Sequence, residues 1–96
     1  MEKEWVITID HCCTQYQVEK EFIVSLSEYG IINIIREEEE AYIAHDDLGA
    51  LEKSIEFQEL GINLAGIDTI FHLLGKIESL QQELLQLKRF RQDGSI

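Results

Sequence analysis

The chain contains no proline and only two cysteines. Without proline, no helix is ended by a missing backbone N–H or a ring clash, so helix limits must come from capping residues and glycine. The cysteines, Cys12 and Cys13, are adjacent. Neighbours in a chain bridge only with strained geometry, so no structural disulfide is expected, and the dearth of cysteine agrees with a reducing compartment. Basic residues are also scarce. Eight Lys and Arg face 19 Asp and Glu, for a formal net charge of −11, and such a surface repels a phosphate backbone overall. No apolar run approaches the ~18 residues of a membrane span. The charged start Met1-Glu2-Lys3-Glu4 leads into no signal-type apolar region, so a cytoplasmic protein is expected.

What is present suits one folded domain. A hydrophobic content of 45% over 96 residues supports a single modest core, and cores of this size are often helped by oligomerisation. The most organised stretch runs from Asn63 to Gln92. Ile70, Leu73, Ile77, Leu80, Leu84 and Leu87 recur at alternating spacings of three and four, the pattern of a helix that pairs along its length. Asn63 is placed to cap the start, and Asp93-Gly94 to end it. Such a helix is about 45 Å long, more than a domain this small needs, so a homodimer through this seam is expected. The alternative is one amphipathic helix folded back on its own domain. The division is residues 1–62 and 63–96, within one structural unit.

Upstream, Trp5-Val6-Ile7-Thr8-Ile9 is β-branched and aromatic and predicts a short strand or extended lead-in, with Trp5 as a lid on the core. Asp10 is placed to cap a short helix to about Tyr16. A second helix is expected from about Val18 to Tyr29, with Val18, Phe22, Leu26 and Tyr29 on one face and Ile23 beside them. Gly30 follows as its stop. Ile31 to Ile35 and Ala41 to Ala44 predict two strands of a wing, with Arg36-Glu37-Glu38-Glu39-Glu40 as a solvated tip. Asp46 is placed to cap a third helix, from Asp47 to about Leu60. Its buried stripe is Leu48, Leu51 and Ile55, and Gly61 is its stop.

The order helix, helix, wing, helix, long helix resembles the winged helix-turn-helix domains of the MerR type. Glu28-Tyr29-Gly30-Ile31-Ile32 is similar to that family's step out of the second helix. Asp46-Asp47-Leu48 resembles the opening of its third helix, and Leu60-Gly61-Ile62-Asn63-Leu64 its joint into the long helix. The expected fold is therefore mainly α, with a small β wing and a long C-terminal helix. Within the superfamily, the chain resembles the chaperone modulators of the CbpM type, small acidic proteins that end just after the long helix. Cys13 early in the first helix, Ile62-Asn63-Leu64-Ala65-Gly66-Ile67 and Leu80-Gln81-Gln82-Glu83-Leu84 carry that likeness. It implies binding to the J-domain of a DnaJ-like or CbpA-like co-chaperone, and inhibition of its work with Hsp70.

The alternative is a MerR-like DNA-binding transcriptional regulator. DNA readers of this fold place the second helix in the major groove, with basic residues of helix and wing on phosphates. Here the second helix carries Glu19, Glu21 and Glu28 against Lys20, and the wing carries Glu37 to Glu40 against Arg36. Direct DNA binding is not expected, and Glu19, Glu21 and Glu28 become the candidate partner contacts. A third reading is a general acidic adaptor. His11-Cys12-Cys13 lacks the spaced ligand pairs of a zinc site, with His45 and His72 on other elements. No nucleophile–base–acid set is apparent. Neither metal, cofactor nor enzymatic activity is expected.

Overall fold

The computed structural model describes residues 5–94; the charged start Met1 to Glu4 lies outside them. The chain forms β1 (Val6–Thr8), α1 (Ile9–Tyr16), α2 (Lys20–Glu28), β2 (Ile34–Glu37), β3 (Glu40–Ala44), a single 3-10 turn (His45–Asp47), α3 (Leu48–Glu59) and α4 (Leu64–Gly94). The strands make one antiparallel sheet in the order β1-β3-β2. The expected two-stranded wing is therefore three-stranded, because the lead-in closes onto β3, with Val6 opposite Ala44 and Thr8 opposite Tyr42.

Helix ends are set as a proline-free chain requires, though not always by the expected residue. Thr8 caps α1, its hydroxyl accepting from the His11 N–H at 3.1 Å, while the expected cap Asp10 sits in the first turn. There its charge suits the helix dipole. Asp46 caps nothing either. It lies in the 3-10 turn, and the following Asp47 turns its carboxylate to the Asn33 N–H at 2.9 Å instead of to its own helix. The α2 and α3 stops fall at Gly30 (φ 80°) and Gly61 (φ 89°). At both, the next residue's N–H bonds back: Ile31 to the Leu26 carbonyl at 2.9 Å, and Ile62 to the Phe57 carbonyl at 3.1 Å. Those bonds satisfy carbonyls that a helix end otherwise leaves open.

The wing departs from expectation at its tip. Pairing continues through Arg36 opposite Ala41 and Glu37 opposite Glu40, so the solvated tip shrinks to Glu38-Glu39, with Glu38 in the left-handed region at φ 57°. Ile31 to Asn33 leave the sheet because Ile32 turns inward to 1% exposure. Ile23, Leu26, Ile43, Leu51 and Ile67, each 0% exposed, bring α2, β3, α3 and α4 to one centre. Burying such a side chain contributes roughly 1.5–3 kcal/mol. Phe22, Ile9 and Cys12 extend this core. Two expected core residues stay outside: Tyr29 at 42% and Trp5 at 77% exposure. Trp5 lies edge-on to His45 at 6.2 Å instead of lidding the core, because its carbonyl is drawn to the His45 N–H at 2.8 Å on the sheet's edge.

Asn63 caps α4 as expected, its side-chain oxygen accepting from the Gly66 N–H at 2.8 Å. Phe71 meets Phe57 of α3 edge-to-face at 6.1 Å. Beyond that base the helix leaves the domain. Seam residues from Leu73 onward are exposed, from 49% at Ile77 to 62% at Leu80. The radius of gyration is 17.7 Å, against about 12–13 Å for a compact chain of this length. In this structure α4 does not fold back on its own domain.

The joint into α4 requires a small residue. A Cβ on Gly66 would lie 2.8 Å from Ile62 Cγ2 and 3.2 Å from Asn63 Oδ1. In an open helix, Gly→Ala gains about 1 kcal/mol. Here Gly66→Ala is expected to give no gain or a loss, and to recover the gain in an Ile62→Ala background. Urea unfolding of the two single variants and the double variant measures both.

Candidate protein-interaction surface

α2 forms because Phe22, Ile23 and Leu26 supply a buried stripe, which leaves its charged residues to solvent. Glu19 occupies the N-cap position without a side-chain cap bond. Glu21 stands in the first turn and Glu28 at the end, and all three are exposed. At ~100° per residue, Glu21 and Glu28 share one face about two turns apart, whereas Glu19 lies nearly opposite Glu28. The three candidate contacts are thus not one contiguous patch. Two belong together, and Glu19 sits at the α1–α2 turn.

Sequence alone did not show that the wing tip comes up beside the start of α2. Asp10, Lys20, Arg36, Glu38, Glu39 and Glu40 line one groove between α1, α2 and the hairpin. Four carboxylates and two cations share this space, so both basic groups lie in acidic surroundings. A phosphate chain entering the groove would meet net negative charge. Nor did pattern reading show the sheet's outward side. Alternation along β3 sends Ile43 inward, with Ile7, Ile34 and Ala41 packed beside the core. Val6, Ile35, Tyr42 and Ala44 therefore face outward.

The seam residues fall into two groups. Ile70 lies at the base of α4 and is partly covered by its own domain. Leu73, Ile77, Leu80, Leu84 and Leu87 are exposed together over about 21 Å of helix, with Leu74, Leu85 and Phe90 flanking them. The last turns carry Lys88, Arg89 and Arg91.

Cysteine chemistry is subdued. Burial, helped by the neighbouring Cys13, pushes the Cys12 thiol up. Burial and the negative charges of Asp10, Glu19 and Glu21 raise Cys13 against the opposing pull of Lys20. Both cysteines are free and disfavour the reactive thiolate form. Among the described residues, no three His, Cys, Asp or Glu side chains are grouped to hold a metal ion, and no helix is long and apolar enough to cross a membrane. Tyr16 of α1 donates its phenolic O–H to Glu52 of α3 at 2.7 Å. That bond, with burial and the Glu52 charge behind it, pushes the tyrosine up to about 12.

Comparison with known proteins places this arrangement. A family profile described as MerR HTH family regulatory protein matches residues 7–89. No curated protein matches, and no solved structure matches.

The Tyr16–Glu52 bond makes a pH prediction. The folded state holds the tyrosine proton to about 12, above the ordinary 10.0. The bond's contribution is therefore fully present below pH 10.0 and is lost as pH rises towards about 12. Tyr16→Phe should lower stability below that window and remove this part of the alkaline decline. Urea midpoints of the two proteins across the window measure the difference.

Proposed function

This chain belongs to the MerR helix-turn-helix regulatory family, and we propose that within it the protein is a chaperone modulator. It binds the J-domain of a DnaJ-like or CbpA-like co-chaperone and keeps that J-domain from working with Hsp70. The observation that carries this reading is the acidic groove between α2 and the wing, where four carboxylates outnumber Lys20 and Arg36. A DNA reader of this fold needs basic residues there. A J-domain presents a basic surface to Hsp70, and an acidic protein is suited to compete for it. The resemblance of Ile62 to Ile67 and of Leu80 to Leu84 to CbpM-type modulators supports the same partner.

The mechanism is competition driven by charge. The acidic field of α2 and the wing speeds encounter, and a small apolar contact then holds the partner. Glu19, Glu21 and Glu28 belong to that field. A second copy pairs through Leu73, Ile77, Leu80, Leu84 and Leu87, with Ile70 at the root of the seam; this homodimer covers the stripe that the protein's own core leaves open. The second reading is a DNA-binding transcriptional regulator, which the family description favours. The groove's charge opposes it, because each lost basic contact removes a counterion-release contribution.

Inhibition is the direct test. The protein should suppress the J-domain-stimulated ATPase of the cognate Hsp70, and the Glu19→Lys, Glu21→Lys, Glu28→Lys triple variant should need about tenfold more protein for the same effect. Unaltered ATPase together with tight, sequence-dependent shifts of DNA would favour the regulator. Leu80→Asp with Leu84→Asp should halve the mass seen by light scattering while leaving the helical circular dichroism of the domain in place. An unchanged mass would mean that the seam joins nothing.

A further inference from the structure

Among the described residues, none packs against the outward side of the sheet. An antiparallel sheet usually alternates apolar-in with polar-out. Here four of the outward positions are apolar, while Thr8 opposite Tyr42 and the pair Glu37 and Glu40 at the turn end are polar. Tyr42 stands opposite Ile35, and Ala44 opposite Val6, so the four side chains form one patch across all three strands. None of them belongs to the core or packs against it. Val6 is 40% exposed, and the other three are partly exposed.

The rim of this patch is acidic. At one end, Glu37 to Glu40 gather around Tyr42 in a shallow depression. At the other end, Asp46 joins Trp5, Ala44 and His45 around a second one. The whole face, apolar centre and acidic rim together, has the size of one helix; the apolar centre from Tyr42 to Ala44 is about 7 Å of that length. Three strands at ~4.8 Å spacing give a face about 10 Å wide, and the five residues of β3 give it a length of about 16 Å. An α-helix with its side chains is about 10 Å across, and three turns cover about 16 Å. The rim's charge selects among occupants. A second copy of a chain with net charge −11 would set carboxylates against carboxylates, and nucleic acid would set phosphates there.

We infer that this outward sheet face is a docking site for a Lys/Arg-flanked amphipathic helix of a partner protein. Tyr42 and Ile35 supply the apolar anchor, and the glutamate turn engages the basic flanks. Identifying that helix as part of a J-domain rests on the function proposed above. The division of labour follows. The carboxylates of α2 and the turn govern the rate of association, and the sheet face governs the rate of dissociation.

The test uses the full-length, isotope-labelled protein and two probes: the purified J-domain of the DnaJ-like or CbpA-like co-chaperone from the same genome, and a helical peptide of leucine and lysine, with a leucine–glutamate peptide as control. Amide shifts on adding the J-domain should be largest at Val6, Ile35, Tyr42 and Ala44. Tyr42→Ser, with its fold verified by circular dichroism, should weaken binding about tenfold, mainly through faster dissociation. Glu38→Lys with Glu39→Lys, at two exposed turn residues and with the fold verified in the same way, should slow association and flatten its salt dependence. J-domain binding with shifts confined to α2 would overturn the sheet-face site and leave the function standing. Shifts at the sheet face with the lysine peptide alone would support the site and reject the J-domain as its partner. No response at these four residues to either probe, or an equal response to the glutamate peptide, would overturn the site.

Discussion

The packing of Ile23, Leu26, Ile43, Leu51 and Ile67 holds the molecule together, and its small size determines the rest. These residues draw α2, β3, α3 and the base of α4 to one point, each fully removed from solvent. That centre has no capacity to cover more. Among the described residues of α4, Ile67 is the fully buried one, with Phe71 packed at the margin, and the helix then extends into solvent with its leucines uncovered. The sheet gives that centre Ile43 from the central strand and leaves Tyr42 and Ile35 on the far side. The two uncovered apolar surfaces are thus consequences of the same limit. A domain of this length buries too little to satisfy both a long helix and both faces of a sheet.

Charge distinguishes those two surfaces. The seam of α4 is flanked by Lys76, Glu78, Glu83 and Lys88, a mixture that tolerates a second copy. The sheet face is bordered by Glu37 to Glu40 and Asp46, which does not. With 19 acidic residues against 8 basic, the chain repels itself everywhere except where apolar contact offsets the repulsion. The family match and the electrostatics therefore pull in different directions. The fold is one that elsewhere reads DNA, while carboxylates outnumber cations in the groove between α2 and the wing. Function is carried by the residues of a site and not by the fold that holds it, so the proposed function rests on the charge of the groove.

Much of the architecture was legible in the sequence wherever a local rule has a single physical solution. Gly30 and Gly61 stop helices because left-handed backbone suits glycine. Asn63 caps α4 because its amide oxygen reaches a free N–H of the first turn. The buried Phe22, Ile23 and Leu26 of α2 follow from helical spacing, whereas α3 fully buries Leu51 and the unexpected Ser54 and only partly covers Leu48 and Ile55. The misreadings arose where two local rules compete or a distant strand intervenes. Thr8 and Asp10 are both good caps, and strand pairing of β1 with β3 fixed Thr8 as the residue at the helix entrance. The same pairing carried Trp5 to the sheet edge, away from the core. The glutamates of the wing looked like loop, yet Glu37 and Glu40 pair across it. The candidate contacts Glu19, Glu21 and Glu28 were legible as acidic, and the separation of Glu19 from the other two follows from helical spacing once α2 starts at Lys20. The outward sheet face was hidden because only the register shows which half of Ala41-Tyr42-Ile43-Ala44 points away from the core.

The central claim is that this acidic winged helix binds a basic J-domain directly. Calorimetric titration with the purified J-domain of the DnaJ-like or CbpA-like co-chaperone from the same genome, at low and at moderate salt, tests it most simply. The account predicts saturable heat whose affinity falls as salt rises. Absence of heat at both salts, with the protein folded, would contradict the account and return DNA regulation to first place.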